Sequence, residues 1–432
     1  MTPSEHKDKK NVAIAYGKSR IKLAVPSSFD LIEPKFVPKL KDEKYQIIKL
    51  LKNPIGSAPL RKKVNKSSKI AISVCDITRA QPRQIVLQAI LDHISDITSP
   101  ENIKILIATG THRPNTKEEL RAMIGQDILS KIEVINHDSR NKKDLVKVKT
   151  SLQDTEVYLN KNWIEADVRI TTGFVEPHFF AGFSGGAKMV APGLAGLETI
   201  LSLHNYERLR NKFSVWGEID RNPIQQDVRK IATETGVDFC IDVTLNKLQE
   251  ITGVFAGELL SSHDKACEFA REKAMVKVEK LYDVVITSNS GYPLDQNLYQ
   301  SVKGMSAASQ ITKKDGKILC LAECSDGIPD HGEFYSLLSY FKDPYQVNKT
   351  LQDPNFMCQD QWQVQILSDI VKKQSVYMYS EKLSPDDIQK AFLNPVLNPN
   401  DFIKNLEIED KNTSGCVLPE GPITIPFFET NN

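Results

Sequence analysis

Residues 69–94 read KIAISVCDITRAQPRQIVLQAILDHI, and this stretch decides the fold class. Its first part, Lys69–Val74, is short and rich in β-branched residues, which is typical of a strand. Pro82 then opens a run of periodic apolar residues that predicts a helix up to Ile94. The chain therefore passes from a strand, through a polar loop at residues 76–79, into a helix.

The same order begins again twice downstream. Ile103–Ala108 predicts a strand, followed by a loop at residues 109–112 and a helix near Asn115. Val168–Thr172 predicts a third strand, which runs into a loop from Gly173 to Gly186. Strands that alternate with helices favour an α/β fold with a largely parallel sheet, and such sheets bind ligands at the carboxyl ends of their strands. We therefore expect the three loops to meet at one edge of a sheet.

The length of the chain and its later elements indicate a second domain. With 432 residues, the chain exceeds the size at which one hydrophobic core usually stops growing. A connecting helix is predicted over about Ser261–Lys277, and fresh strands follow at Asp283–Thr287 and Lys317–Ala322. We predict two α/β domains with largely parallel sheets, residues 1–274 and 275–432, with the active site in the cleft between them.

The two ends of the chain carry separate expectations. Asn11–Tyr16 and Ile21–Val25 flank a turn-like Gly-Lys-Ser-Arg and predict a β-hairpin. The tail from Asn412 is expected to be loose. The N-terminal MTPSEHKDKKNV lacks the apolar stretch of a secretory signal, and no later run approaches the ~20 apolar residues of a membrane span. We therefore expect a cytoplasmic protein with no membrane partner.

Composition excludes some classes of protein. Lys and Arg number 56 against 55 Asp and Glu, and the resulting net charge of +1 argues against a nucleic-acid partner, which would need a basic stripe. The seven cysteines are scattered, with Cys320 and Cys324 the only close pair, so neither a disulfide framework nor a CxxC metal site is indicated. Reduced and mostly buried thiols are expected.

Three of the eight histidines, His112, His178 and His204, lie in or just after the loops that are predicted to meet. Histidine exchanges protons near neutral pH and is the commonest metal ligand. Each of the three alone is more often an ordinary polar residue. Their shared position favours a functional site.

The segment EPHFFAGFSGGAK, residues 176–188, is the most unusual stretch of the chain. Ser184, Gly185 and Gly186 at the start of a helix would aim N–H groups at an anion such as phosphate. Lys188 on the first turns of that helix could contact the phosphate or act as a nucleophile, or it could be a solvated lysine. His204 lies too far along an unbroken helix, but a bend at Pro192-Gly193 could return it to Lys188.

Charged residues elsewhere leave two interpretations open. Asp76 and Arg79 could be a helix N-cap and a surface charge. Alternatively, Arg79 supplies a planar fork for a carboxylate or phosphate, and Asp76 orients it or a ligand hydroxyl. Gln300 and Lys303 share one helical face, which by itself is equally typical of a solvated surface.

Several motifs together resemble the lactate racemase family, and they occur in the family's order over most of the chain. They are DITR at Asp76–Arg79, TGTHRP at Thr109–Pro114, EPHFFAGFSGGAKMVAPG at Glu176–Gly193, His204, GYPLDQNLYQSVKGM at Gly291–Met305, and Trp362 in DQWQVQIL. Ala80 and Ala187 depart from residues that are common in the family, which leaves the identity of the substrate open rather than the mechanism.

The resemblance implies a nickel-pincer nucleotide, pyridinium-3-thioamide-5-thiocarboxylic acid mononucleotide, bound covalently to Lys188. Ni(II) would be held by a ring carbon and two sulfurs of the cofactor and by His204, in the square-planar geometry that such donors favour. The matching cofactor-binding positions are Lys188, Asp76, Arg79, Ser184, Gly185, Gly186 and Trp362. The first domain would thus bind the cofactor, and the second would contribute residues to the substrate site.

The resemblance further implies racemisation of a small 2-hydroxy acid, such as lactate, by reversible hydride transfer. His112 and His178 match two histidines that act as base for one enantiomer and acid for the other. Arg79, Gln300 and Lys303 match residues around the substrate carboxylate. Enzymes that make the cofactor would be transient partners.

Two other functions compete with this interpretation. Lys188 could form a Schiff base in an aldolase or a pyridoxal-phosphate enzyme, but the three histidines would then have no task. The protein could also be a non-catalytic carrier of the cofactor, which would need Lys188 and His204 but not His112 and His178. The sequence specifies neither the hydroxy acid nor the oligomeric state.

Overall fold

The computed structural model describes residues 8–329, 332–410 and 412–429. The chain divides into two compact units. One unit runs from Phe36 to Lys273, and the other combines the chain up to Lys35 with the chain from Ala274 onward. Each unit is built on a six-stranded, mainly parallel sheet, which confirms the predicted α/β class.

The strands of the described residues are numbered in chain order. They are β1 Lys9–Tyr16, β2 Ser19–Pro26, β3 Asp30–Leu31, β4 Ile70–Cys75, β5 Ile103–Ala108, β6 Glu133–Asn136, β7 Leu145–Val148, β8 Val157–Asn160, β9 Val168–Phe174, β10 Pro177–His178, β11 Gly182–Phe183, β12 Phe239–Leu245, β13 Ile251–Gly257, β14 Met275–Val278, β15 Tyr282–Ser288, β16 Thr312–Leu321, β17 Ser375–Tyr379, β18 Asn394–Pro395, β19 Gly415–Leu418 and β20 Ile425–Phe428.

The α-helices are numbered in the same way. They are α1 Glu43–Lys52, α2 Arg83–Ile94, α3 Lys117–Ile124, α4 Gln126–Leu129, α5 Lys161–Ile164, α6 Leu197–Leu203, α7 Tyr206–Arg210, α8 Pro223–Thr235, α9 Leu259–Ala274, α10 Leu298–Ser309, α11 Phe334–Tyr340, α12 Pro344–Leu351, α13 Gln361–Val371, α14 Pro385–Lys390 and α15 Pro399–Glu409.

In the unit from Phe36 to Lys273, the sheet has the order β13-β12-β9-β4-β5-β6. Strands β12 to β6 of this order are parallel, and β13 alone is antiparallel to its neighbour. The three predicted strands are therefore β9, β4 and β5, side by side. Branched apolar side chains such as Ile72, Ile105 and Ile170 fill the core beside this sheet, which is why short runs rich in isoleucine and valine predict it.

The helices that follow these strands begin close to the predicted positions. Helix α2 begins at Arg83, one residue after the predicted Pro82. Helix α3 begins after Thr116, whose hydroxyl accepts the Glu119 N–H while the Glu119 carboxylate accepts the Thr116 N–H. The loops after β4, β5 and β9 thus leave the same edge of one parallel sheet, as predicted.

The other unit contains a sheet of order β18-β17-β16-β15-β19-β3, with all neighbours parallel. The predicted hairpin is confirmed as β1 and β2. It belongs to this unit, because its apolar side chains, Val12, Ile14 and Leu23, share a core with Ile286 and Leu319. The predicted first domain, residues 1–274, included this hairpin, whereas the structure places the hairpin in the unit that contains the chain from Ala274 onward.

The expectation of a loose tail from Asn412 is wrong for its described residues. Strand β19 lies inside the sheet, between β15 and β3, and Cys416, Val417 and Leu418 are fully buried. A Cβ on Gly415 would lie 2.3 Å from the Phe29 ring, so only glycine lets the strand begin there. Further on, β20 pairs with β14. Such short strands give too few residues for a periodic pattern.

The helices and the cysteines bear on two further expectations. Across the described ranges, no helix combines the length and the apolar character that a membrane span requires. All seven cysteines are unpaired, and all except Cys358 are buried, which confirms the expectation of mostly buried thiols.

Candidate active site

Asp76 and His112 form the first part of the site. They follow the neighbouring strands β4 and β5, and His112 Nδ1 lies 2.7 Å from Asp76 Oδ2. Thr78 Oγ1 donates to the other carboxylate oxygen at 2.7 Å. Burial alone would raise the pKa of Asp76, but His112, Thr78 and Arg79 outweigh it and lower the pKa to about 2. Asp76 is therefore an anion that holds the Nδ1–H of His112, so that the neutral ring carries its lone pair on Nε2.

This arrangement excludes the N-cap interpretation of Asp76 and also the suggestion that Asp76 orients Arg79. The residue before helix α2 is Pro82, and no side chain caps that helix, so Asp76 is not its N-cap. The carboxylate oxygens are bonded to His112 and Thr78, not to the Arg79 guanidinium. Asp76 therefore orients a histidine rather than an arginine.

Two arginines shape the loop after β4. The buried guanidinium of Arg83 donates to the carbonyls of Cys75 (2.7 Å), Gln81 (3.0 Å), Arg79 (2.7 Å) and Asp76. Arg83 was not among the predicted site residues, although a cation in the first turn of a helix opposes the helix dipole and so signals a specific partner. Nη1 of Arg79 is buried with no hydrogen-bond partner among the described residues. An anion is the partner that suits such a donor.

A second group of residues surrounds the ring of Phe180. The His178 ring lies 4.5 Å from it, the His204 ring 5.2 Å, and Lys188 Nζ 5.3 Å, all measured to the Phe180 centroid. Lys188 Nζ is also 3.3 Å from His178 Nε2. The structure thus brings together the lysine and the two histidines that sequence analysis placed in one site.

His178 has a defined tautomer in this arrangement. The backbone N–H of Ala181 donates to His178 Nδ1 at 3.3 Å. The neutral ring therefore carries its proton on Nε2, the nitrogen that faces the Lys188 amine. His112 and His178 thus differ, because Nε2 has a lone pair in one and a proton in the other.

His204 is held as a neutral imidazole. It follows α6, and its Nδ1 donates to the Ile200 carbonyl at 2.8 Å. Burial lowers its pKa to about 3, so the ring is uncharged at neutral pH. The lone pair then resides on Nε2, which is the form of histidine that binds metals. Within the described ranges, no three His, Cys, Asp or Glu side chains cluster closely enough to hold a metal ion by themselves.

The path from Lys188 to His204 corrects the predicted helix. Gly186–Met189 is a single 3-10 turn, and the next α-helix begins only at Leu197. The predicted interruption near Pro192 is confirmed, and it lets His204 return to the Phe180 ring that Lys188 also contacts. The prediction that Gly185 and Gly186 begin an α-helix was wrong, because their positive φ angles interrupt a regular helix.

The glycine-rich loop uses several of its polar groups internally. Ser184 Oγ donates to the Phe174 carbonyl at 2.8 Å and accepts the Glu176 N–H at 3.0 Å. The N–H of Gly186 donates to Asp242 Oδ1 at 3.1 Å. In this conformation the Ser184 hydroxyl bonds to the backbone of its own loop, and the Gly186 N–H bonds to the Asp242 carboxylate. The role of Ser184 and Gly186 as phosphate contacts therefore stays a prediction.

Gln300, Lys303 and Trp362 lie in the other unit. Gln300 and Lys303 share helix α10, where Lys303 Nζ donates to Gln300 Oε1 at 2.7 Å. Trp362, on α13, donates from Nε1 to the Tyr299 hydroxyl at 2.8 Å. Gln300 is buried and Lys303 is half-buried, so the interpretation of this helical face as a solvated surface is wrong for Gln300. Trp362 is buried as well.

The chain is similar to known proteins over most of its length. Residues 16–217 match the model of the lactate racemase N-terminal domain, and residues 277–425 match that of the lactate racemase C-terminal domain. The lactate racemase of Thermoanaerobacterium thermosaccharolyticum is 37% identical over 424 residues, which cover 95% of this chain and 98% of that protein. The lactate racemase of Lactiplantibacillus plantarum is 36% identical over 346 residues, which cover 80% and 81%.

Solved structures give a matching result. The lactate racemase apoprotein from T. thermosaccharolyticum superposes with a TM-score of 0.88 at 35% identity, covering 96% of this chain and all of that one. A crystal structure of a protein from Thermotoga maritima superposes with a TM-score of 0.71 at 17% identity, covering 91% of this chain and all of that one. The second likeness concerns the fold alone.

Proposed function

Because the chain belongs to the lactate racemase family, we propose that it is an isomerase that interconverts the enantiomers of one small 2-hydroxy acid, lactate or a close relative. The observation that carries this proposal is the gathering of Lys188, His178 and His204 around Phe180. The Asp76–His112 pair follows neighbouring strands at the same edge of the sheet. The unit thus supplies an amine, a neutral imidazole for a metal and two further histidines for proton transfer.

The residues of this site fit a nickel-pincer nucleotide that is attached to a lysine. The Lys188 amine would form the covalent bond, and His204 Nε2 would be the protein's ligand to nickel. Arg79 Nη1, a buried donor, suits an anionic group of the cofactor or substrate. The role of Trp362 in cofactor binding stays a prediction from the family resemblance. When bound, the cofactor supplies an electron-poor ring that accepts a hydride.

The two histidines divide the proton transfers of the reaction. His112 Nε2 carries a lone pair and would take the proton of the substrate hydroxyl, and the Asp76 carboxylate would stabilise the resulting imidazolium. His178 carries its proton on Nε2 and would donate it in the opposite direction. Arg79 would bind the substrate carboxylate, and the same role for Gln300 and Lys303 stays a prediction from the family resemblance. A 2-hydroxy acid whose hydroxyl and carboxylate are held in this way reacts without forming a carbanion.

The Lys188–His178 contact also bears on the attachment of the cofactor. A protonated His178 Nε2 can donate to Lys188 Nζ only when the amine is unprotonated, and that form is the nucleophile. The chain would acquire its cofactor during a transient encounter with the enzymes that make it.

The test is to produce the protein with and without the cofactor biosynthesis enzymes and to screen single enantiomers of 2-hydroxy acids by chiral chromatography. We expect racemisation of at least one acid, only in the co-produced sample. If Lys188 carries the cofactor mass but no hydroxy acid loses its optical purity, the protein is a carrier. If borohydride traps an imine on Lys188 instead, the Schiff-base function is the right one.

Lys188→Ala is the matching variant, and Lys161→Ala, which removes an exposed lysine of the same unit, is its control. We expect Lys188→Ala to lose both the adduct and the activity while it keeps the wild-type circular dichroism spectrum. Lys161→Ala should keep all three properties. An adduct that persists on Lys188→Ala, measured by intact mass, would exclude Lys188 as the attachment site.

A further inference from the structure

Four polar side chains lie behind the loop at residues 178–188 and are shielded from solvent. They are Asn222 and Gln225 on or beside α8, Asp242 on β12 and His263 on α9, each with at most 1% of its surface exposed. We call them the rear cluster. None of them belongs to the chemistry proposed above.

The two residues from α8 hold carbonyls on one side of the loop. Asn222 Nδ2 donates to the Phe180 carbonyl at 2.8 Å. In the amide orientation that satisfies both of its neighbours, Gln225 donates to the Ala181 carbonyl at 2.9 Å and accepts from Arg229 Nε at 3.3 Å. The backbone on either side of the Phe180–Ala181 peptide is therefore fixed in place.

Asp242 and His263 hold the glycine end of the loop. Asp242 Oδ1 accepts the Gly186 N–H at 3.1 Å. His263 Nε2 lies 2.9 Å from the Ser184 carbonyl, and Arg229 Nη2 lies 3.1 Å from His263 Nδ1. Because a guanidinium only donates, Nδ1 must accept, and Nε2–H is therefore the donor to Ser184. Arg229 thus fixes the tautomer that the loop requires.

Three glycines let the backbone approach the rear cluster this closely. A Cβ on Gly173 would lie 2.2 Å from Asp242 Oδ1, and one on Gly185 would lie 3.0 Å from the same oxygen. A Cβ on Gly186 would lie 2.5 Å from the His263 ring. Any side chain at these positions would displace either the loop or the polar group behind it.

Stability alone does not favour a polar cluster over apolar residues at this place. Burying a polar group costs about 1–3 kcal/mol unless its hydrogen bonds are satisfied, and apolar residues of similar volume often stabilise a core equally well. Satisfied polar contacts do, however, specify a single backbone conformation. All four members of the rear cluster bond to the backbone of the segment 180–186, which connects His178 to Lys188.

We propose that Asn222, Gln225, Asp242 and His263 are positioning residues that set the place of Lys188 Nζ relative to His178 Nε2. They act through the backbone at Phe180, Ala181, Ser184 and Gly186 and touch no reacting atom. The importance of this placement for catalysis rests on the proposed function of Lys188. The placement itself can be measured without the cofactor.

The test compares His263→Phe, which keeps a ring but loses the donor, with His263→Gln, whose amide can still donate to Ser184. Full-length protein without cofactor is acetylated with a trace of acetic anhydride, and the labelling of Lys188 is divided by that of Lys161 in the same sample. We expect the ratio to change on the order of tenfold in His263→Phe and to return to within about twofold of wild type in His263→Gln. Gln225→Met serves as a second variant without the amide and should behave like His263→Phe.

A merely structural role would lower the melting temperature in these variants but leave the labelling ratio of the folded protein unchanged. Folded His263→Phe and Gln225→Met proteins with the wild-type ratio would overturn the proposal. So would the failure of both variants to fold, since the rear cluster would then serve stability. If the wild-type chain never acquires a cofactor, the proposed function fails while the labelling ratio still decides the positioning role.

Discussion

Asp76→Asn is the substitution that tests the site most directly, because it removes a charge while keeping nearly the same shape. In the wild type, the buried carboxylate holds the Nδ1–H of His112 at 2.7 Å. An amide in its place can present its NH2 group to Nδ1, which would favour the tautomer with the proton on Nε2. His112 would then have no lone pair on the atom that we propose as the base. Loss of the correct tautomer and of the stabilised imidazolium costs on the order of 10³–10⁴-fold in rate in a comparable acid/base pair.

The same carboxylate makes a pH-dependent contribution to stability. Its pKa lies at about 2 instead of 3.8, because the partners of Asp76 outweigh the effect of burial. At ~1.4 kcal/mol per pKa unit, this shift corresponds to roughly 2 kcal/mol of unfolding free energy. Since the folded pKa is the lower one, this stability is fully present above pH ~4 and is lost as the pH falls through ~2. Asparagine does not titrate, so the difference between the two proteins should shrink over that window.

The assay measures initial racemisation rates by chiral chromatography and unfolding free energies in urea from pH ~2 to ~7, which covers the window of the expected change. Asp96→Asn is the matched control, because an ion pair with Arg61 also lowers the pKa of Asp96 to about 2, but on the surface and away from the site. The control should keep wild-type activity. A folded Asp76→Asn protein that retains activity within about threefold of wild type would refute the role of the Asp76–His112 pair.

Three further predictions follow from the site and the loop. His204→Ala should lose nickel, measured by elemental analysis, while intact mass still shows the organic adduct; equal nickel content in both proteins would exclude His204 as the ligand. His112→Ala and His178→Ala should each slow racemisation on the order of 10²–10⁴-fold. Single-turnover transfer of an α-deuterium should then fall for opposite enantiomers in the two variants, and an equal loss for the same enantiomer would contradict their opposed roles. Gly186→Ala should lower the melting temperature clearly more than Gly56→Ala. Both glycines have positive φ angles, but a Cβ at Gly56 would meet only ordinary contacts of 3.4–3.5 Å. Equal losses of melting temperature would contradict the close approach of Gly186 to His263.

The parts of the structure that sequence predicts are those that local patterns specify. Isoleucine- and valine-rich runs predicted β4, β5 and β9, and the carboxyl-end rule gathered the loops that carry Asp76 and His112. Proline and glycine after Lys188 predicted the interruption that returns His204 to the site. In each case the signal lies within about ten consecutive residues.

The parts that sequence did not predict depend on contacts between distant segments. Gly186 meets Asp242 and Ser184 meets His263 only because the sheet and α9 bring them together, and neither pair shares a local pattern. A buried aspartate on a central strand was the available signal, since such a residue needs a specific partner. The prediction of a loose tail after Asn412 was wrong for the same reason, because a four-residue strand is defined by the neighbouring strands between which it lies.

The different protonation of His112 and His178 can affect the kinetic constants for the two enantiomers only in a restricted way. A carboxylate bonded to Nδ1 favours a lone pair on Nε2 of His112, and a backbone N–H bonded to Nδ1 favours a proton on Nε2 of His178. If the proposed roles of His112 and His178 hold, the resting site would be prepared for one enantiomer, and the other enantiomer would require that a proton first move between the two rings. Two enantiomers have equal free energies, so kcat/KM must be the same for both at every pH, whatever the site favours. The asymmetry can therefore appear only in kcat and KM taken separately, with the enantiomer that must wait for the proton showing the lower value of both.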